Sequence, residues 1–434
     1  MEALSVILLL VGVAGAVLRP WGLPAWAVPV AAVGVDLAVG AASLSATGRA
    51  VRALDQPIAF LLAAVPLAVL LDRLGFFAAA ADRLTRGRRV AGGLWALAAV
   101  VTTVLNLDAG VVLLTPLYVR VARRRQLDPL VLAFQPLILS WLASSALPVS
   151  NLTNLIAASS TGAASLDFLS HLALPSLAAV LVGWLCYRRL PAVRGEPALD
   201  EPGLRGPALD ESAAAGGDGP APDQPALDDP AVTGPDGRTA ADDRRALAIG
   251  GVIVALVLVG FVAGRTVGIA EWQVALAADV VLLFIVRQVP WRSVPIGTGL
   301  VAASLAALAA TVVARLPLTS LLGGTGVAGL ARTAGIAAVL ANVVNNLPAL
   351  LVLLPAVGHH PGPSLWALLI GVNMGPVLLA TGTLASLLWL HAVGQLGVKA
   401  RAHDVSLIGL RVGLPGAAAG LVVLLALHAA GLAR

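Results

Sequence analysis

The stretch Leu105–Pro116, LNLDAGVVLLTP, and its counterpart Val344–Pro355, VNNLPALLVLLP, decide the fold of this chain. Each sets asparagine in the middle of a long apolar run. Each then continues as an apolar half-helix to a proline, and Asn106 to Pro116 has the same spacing as Asn345 to Pro355. A polar break at bilayer depth is expensive unless it lines a protected site. A matched pair, one per half of the chain, is the sequence signature of a transporter's binding site.

The composition around the two stretches agrees. Of 434 residues, 59% are hydrophobic and only 12% charged, too few charges for a soluble protein of this size. Apolar segments long enough to cross a bilayer recur along most of the chain. The formal net charge of +5 hides an asymmetry: residues 191–245 hold 12 of the 23 acids and 5 of the 28 bases. The remaining basic excess sits mostly in short loops, so it reads as a topology signal and not as a nucleic-acid surface. Cys186 is the single cysteine, which excludes an intrachain disulfide. The first apolar run lacks a basic leader and reads as a retained span.

Outward from the two breaks, the chain divides into residues 1–190 and 246–434, with the same order of segments in each. The first half predicts spans near 4–18, 25–44 and 56–72, then a basic amphipathic stretch at 76–89. A broken region follows at 90–119, an interrupted helix at 129–161 and a span at 168–187. The second predicts spans near 246–264, 271–287 and 294–314, a broken region at 333–357, an interrupted helix at 364–396 and a span at 409–431. Between them, residues 191–245 are rich in Pro, Asp, Gly and Ala, including PALDE at 197–201 and 207–211. That composition predicts a disordered connector.

Charge sets the topology. A single crossing by 90–119 would put Arg83, Arg86, Arg88 and Arg89 opposite Arg120, Arg123, Arg124 and Arg125, against the positive-inside tendency. A hairpin that enters, turns at Asn106–Gly110 and leaves on the same side keeps both clusters cytoplasmic. The second half then runs inverted, with its hairpin entering from outside. The expectation is an all-α polytopic membrane protein of two inverted repeats. About ten spanning helices, two re-entrant hairpins and discontinuous helices at the midplane make it up, with the 191–245 linker in the cytoplasm.

Four breaks are candidates for one site. They are the tip at Asn106 and Asp108, the interruption with Ser150, Asn151, Thr153 and Asn154, the tip at Asn345 and Asn346, and the interruption from Asn373 to Thr381 and Thr383. Broken helices present free N–H groups at one end and free carbonyls at the other, which suit anions or hydroxyls, and cations, respectively. Asp108 is the only carboxylate in the breaks and the candidate for coupling to protons or sodium, with helix capping as its simpler role. Asp36 and Asp279 lie in the second span of each half and read as polar interface residues. The histidines lack a metal-ligand pattern, and no phosphate-binding loop or catalytic triad spacing occurs. The chain reads as a non-enzyme without a cofactor or metal centre.

At LNLDAGVVLLTP, LPVSNLTNLIAAS, NVVNNLPALLVLLP and GVNMGPVLLATGTLASLLWLH the chain resembles the arsenite permease family of the ion transporter superfamily, which also holds divalent-anion/sodium symporters. The Arg19-Pro20-Trp21-Gly22 turn and VPWRS at 289–293 share the likeness. The resemblance implies an elevator-type transporter. Substrate would lie at Asn106, Ser150, Asn151, Thr153, Asn154, Asn345, Asn346, Asn373, Thr381 and Thr383, with Asp108 as the coupling residue. It implies arsenite or antimonite export by proton exchange and arsenic resistance, in the inner membrane of a bacterium. Partners would be the lipid bilayer, a small inorganic oxyacid, a proton or sodium ion, a cytoplasmic ATPase subunit and a second copy of the chain. Arg and Lys are absent from all four breaks, which suits a neutral oxyacid. Carriage of another inorganic or organic anion is the alternative, and a non-transporting scaffold the reading from another class.

Overall fold

A computed structural model describes residues 2–85, 90–190, 193, 239–315 and 322–432, and these form an all-α polytopic membrane protein. Most of the linker expectation, and Arg86, Arg88 and Arg89 of the topology argument, lie outside the described residues.

The first half runs α1 (Glu2–Leu18), α2 (Ala27–Ala38), α3 (Leu44–Arg52), α4 (Asp55–Arg73), α5 (Phe76–Leu84), α6 (Val90–Val104), α7 (Leu107–Arg124), α8 (Pro129–Leu142), α9 (Leu152–Thr161) and α10 (Ser165–Tyr187). The second half runs α11 (Ala240–Ala263), α12 (Glu271–Val286), α13 (Ile296–Val313), α14 (Val327–Val344), α15 (Asn346–Leu353), α16 (Pro363–Met374), α17 (Leu384–Gln395) and α18 (Ala402–Ala429), the last with a π-turn at Gly409–Gly413. Among the described residues six helices, α4, α10, α11, α13, α14 and α18, are by themselves long and apolar enough to cross a membrane. The shorter apolar helices are α1, α2, α6, α8, α15 and α16.

The first hairpin is fixed at its open end. The Arg125 guanidinium donates to the Thr85 carbonyl at 2.9 Å, which ties the exit of α7 to the residues just before α6. Both arms therefore begin and end on one face. Arg123 donates to the Leu396 carbonyl at 2.6 Å and brings the end of α17 to that face too. At the closed end, Asn106 is buried. The arms approach closely at Gly110, where a Cβ would stand 3.1 Å from Thr102 Oγ1.

Several boundaries differ from the sequence expectation. Helix α7 starts at Leu107, not near Gly110, and runs through Pro116 to Arg124. Proline at that position removes one main-chain donor without stopping the helix, because packing holds it. Helix α14 starts at Val327. One arm of each hairpin, α7 and α14, is thus 18 residues, roughly 27 Å at 1.5 Å per residue, while the other arms, α6 and α15, have 15 and 8 residues. Helix α2 covers only 12 residues of the predicted 25–44 span, because Gly40 turns left-handed and ends it. The amphipathic α3, with Ser43 accepting from Ala46 N, then starts within the predicted span. Helix α11 starts at Ala240, with Thr239 and Asp242 forming a reciprocal cap, so helix extends into the last residues of the 191–245 segment.

The halves interlock by exchange. Helix α7 lies along α17, α15 touches α9, α2 packs on α13, and α12 packs on α4. Tryptophans close the seam between α8 and α17. Trp389 Nε1 donates to the Ala133 carbonyl at 2.6 Å and stacks on Phe134 at 4.8 Å. Trp141 Nε1 donates to Ser386 Oγ at 3.3 Å.

Candidate functional site

Four helices start in the protein interior, and each is capped by the side chain the sequence singled out. Asn106 Oδ1 accepts from Asp108 N at 2.8 Å at the head of α7. Asn151 Oδ1 accepts from Thr153 N at 3.2 Å at α9, and Asn345 Oδ1 from Leu347 N at 3.3 Å at α15. Thr383 Oγ1 accepts from Ser386 N at 3.1 Å at α17. A cap satisfies one of the free first-turn amides and leaves others for a ligand. Asp108 does not cap α7, as its simpler role required; Asn106 does, and Asp108 sits in the first turn.

The starts come in pairs. Asp108, Ala109, Val112 and Leu113 of α7 line the same cavity as Leu384, Leu387, Leu388 and His391 of α17. The two helices therefore run parallel from neighbouring heads to the face where Arg123 meets Leu396. Helices α9 and α15 form the other pair. Each head carries about half a positive charge from the aligned peptide dipoles, so a pair offers roughly one.

Many of the expected binding residues are already bonded to one another. Asn373 at the end of α16 accepts at Oδ1 from Asn151 Nδ2 (3.0 Å) and Thr153 Oγ1 (2.6 Å). Its Nδ2 donates to Asn154 Oδ1 at 2.7 Å and Ser145 Oγ at 3.4 Å. Asn154 Nδ2 donates to the Ser144 and Leu147 carbonyls, both at 2.9 Å. Ser150 Oγ lies 2.9 Å from the first and 2.6 Å from the second. This cluster is buried and rivets the break of the first half to that of the second. Thr383 Oγ1 pairs with Ser386 Oγ at 2.8 Å.

Other groups remain open. Among the described residues the Asp108 carboxylate, the Asn106 Nδ2, the Asn346 amide and the Thr381 hydroxyl make no hydrogen bond, and Asp108 is only half-buried. Asn345 Nδ2 donates to the Thr381 carbonyl at 3.0 Å, which binds the second tip to the second break. Asn345 holds φ +80 and ψ 153, a region that costs a non-glycine residue on the order of 1–3 kcal/mol.

Sequence reasoning passed over Asn342 as a site residue. Its Nδ2 donates to the Ala338 and Gly375 carbonyls at 2.9 Å each, and its Oδ1 accepts from Leu378 N and Leu379 N at 3.1 Å each. The sequence reading begins the third break at Asn342 but assigns its binding role to Asn345 and Asn346 alone.

The cavity around Asp108 measures about 380 Å³. It lies between α7 and α17 on one side and α1, α4 and α13 on the other, with Arg19, Thr298 and His391 among its lining. Among the described residues no group of three or more His, Cys, Asp or Glu could hold a metal ion.

A protein family described as citrate transporter matches residues 2–394. It is a family of transporters and not of enzymes, within the class of ion and divalent-anion carriers that the motifs resemble. Capped half-helices, an interlocked pair of halves and this match along nearly the whole length agree: the chain belongs to the citrate transporter family.

Proposed function

We propose that this protein is a secondary active transporter of a small carboxylate anion of the citrate type, built from two inverted repeats and coupled to a cation at Asp108. The supporting observation is the pair of helix heads at α7 and α17 with the unpartnered Asp108 carboxylate beside them. The heads attract an anion without lysine or arginine. The carboxylate opposes that attraction until a proton or metal cation neutralises it, so anion and cation favour each other's binding. This reciprocity is the physical content of coupling. The hairpins and broken helices would carry the anion as a unit against α1, α2, α4 and α11–α13. By the charge rule the open face of the first hairpin is cytoplasmic, in a bacterial inner membrane.

Sodium is a second reading of the coupling ion, favoured by two buried hydroxyls, Thr102 Oγ1 and Ser144 Oγ, that have no protein partner beside the first tip and break. Arsenite or antimonite export is the second reading of the substrate, favoured by the all-amide and hydroxyl character of the four breaks. Purified protein in liposomes separates these readings. Citrate, other carboxylates and arsenite are offered under an imposed proton or sodium gradient. Gradient-driven citrate accumulation supports the proposal. Accumulation of arsenite alone replaces the substrate, and no gradient-dependent flux of any of them refutes secondary transport.

A further inference from the structure

The two proline-tryptophan turns that the sequence marked, Arg19–Gly22 and Val289–Ser293, take no part in the central cluster. The first ends at the cavity holding Asp108. Arg19 and Trp21 both take left-handed backbone there, at φ 45 and φ 54. Two such non-glycine residues in one short turn is a strained arrangement, and strain of this kind collects at working sites. Arg19 lines the cavity from the end of α1, and the Arg19 guanidinium has no hydrogen-bond acceptor or ion-pair partner among the described residues. From the hairpin side, His391 on α17 lines the same cavity. One ring nitrogen, Nε2, pairs with Gln395 Nε2 at 2.9 Å, which leaves Nδ1 open. Pro295, which precedes α13, and Thr298 of α13 complete the wall just beyond the second turn, and among the described residues the Thr298 hydroxyl is also without a partner.

The cavity is therefore bipolar. Its floor is the Asp108 carboxylate at the head of α7. His391 lies about two turns down α17 from its first residue, towards the basic face, and Arg19 sits in the loop that leaves α1. Apart from these groups and Thr298 the lining is apolar: Val17, Leu61, Val65, Val69, Leu387 and Leu388 among them. Arg19 and His391 are exposed and Thr298 is half-buried, so the two basic side chains stand at the open rim of the cavity above its apolar walls. About 380 Å³ is within the range of small-molecule sites.

We propose that Arg19, assisted by His391 and Thr298, forms an anion-receiving subsite at the cavity mouth, which holds one carboxylate of the substrate before it reaches the helix heads. The inference rests on the carboxylate-transport reading above. It adds a specificity determinant outside the four breaks: substrates with a second carboxylate engage Arg19, and monocarboxylates do not. Arg19 belongs to α1 and its turn while His391 belongs to α17. A doubly anionic substrate thus bridges the two bodies that the transport cycle must separate.

Thiol labelling tests this. In a Cys186→Ser background, Ala25→Cys places a thiol in the cavity wall without touching the proposed subsite, and a membrane-impermeant maleimide reads its accessibility in inside-out vesicles. Citrate should slow labelling severalfold, acetate should not, and Arg19→Gln should abolish the protection while Arg19→Lys keeps part of it. His391→Gln should weaken it less. Equal citrate protection with Arg19→Gln overturns the subsite. So does a parent that transports citrate yet gives no protection, the result expected if a lipid phosphate covers Arg19. Failure of citrate transport by the unsubstituted protein, read in the liposome assay, sinks the carboxylate reading and this inference with it.

Discussion

Asn373 is a polar residue with no spare capacity. All four of its hydrogen-bonding positions are taken, by Asn151, Thr153, Asn154 and Ser145. Replacement by alanine leaves several buried partners unmatched, each at about 1–3 kcal/mol. Asn373→Ala should therefore lower the melting temperature of detergent-purified protein by many degrees, before transport is even considered. Asn346→Ala should behave in the opposite way. Its side-chain amide has no partner among the described residues, so the loss of stability should be much smaller than in Asn373→Ala while the substrate KM rises severalfold. Asp108→Asn removes the charge and keeps the shape. Exchange of labelled substrate across liposomes should continue, while gradient-driven accumulation is lost. Accumulation equal to that of the parent would remove Asp108 from coupling. The sequence marked these residues by type and position. It gave no means of dividing them into structural rivets and open ligands, because hydrogen-bond partners more than two hundred residues apart are decided by packing.

The elements show why small residues occur where they do. Helix α16 crosses α14 at Gly371, where a Cβ would stand 2.4 Å from the Ala334 carbonyl and 2.6 Å from Ala337 Cβ. Without lipid-excluding hydrophobic drive, membrane helices rely on such close contact. Gly371→Val should separate the second hairpin from its broken helix and strain the Asn342 clamp. A loss of folded protein in membranes, or a transporter with strongly reduced Vmax, is the expected result, measured by fluorescence-detected size exclusion beside uptake. Asn342→Leu should destabilise similarly, since Gly375, Leu378 and Leu379 would each lose a partner. At this scale the existence of the breaks was legible, because asparagine and proline interrupt apolar runs visibly. Their boundaries were not. Pro116 lies inside α7, since neighbouring helices hold the ladder around one missing donor, and α2 stopped early at Gly40.

For the molecule as a whole, the exchange of helices between halves matters most. Each half's two interior-starting helices lie beside those of the other half, α7 with α17 and α9 with α15. Neither half would complete a site alone. Co-expression of residues 1–194 and 239–434 as separate chains should restore transport, if the connector only links them, while either piece alone should be inactive. Failure of the paired pieces, with both present in the membrane, would assign the connector a further role.

Sequence alone determined the class of the protein and the four places where its helices break. Those follow from local chemistry: apolar runs must be helical in lipid, and amide-bearing interruptions in them are conspicuous. The tertiary structure decided which asparagines hold the halves together and which stay open, and it put Arg19 and His391 on the wall of a cavity with Asp108 as its floor. No pattern along the chain could assign those roles, because they depend on contacts between helices that share no neighbourhood in sequence.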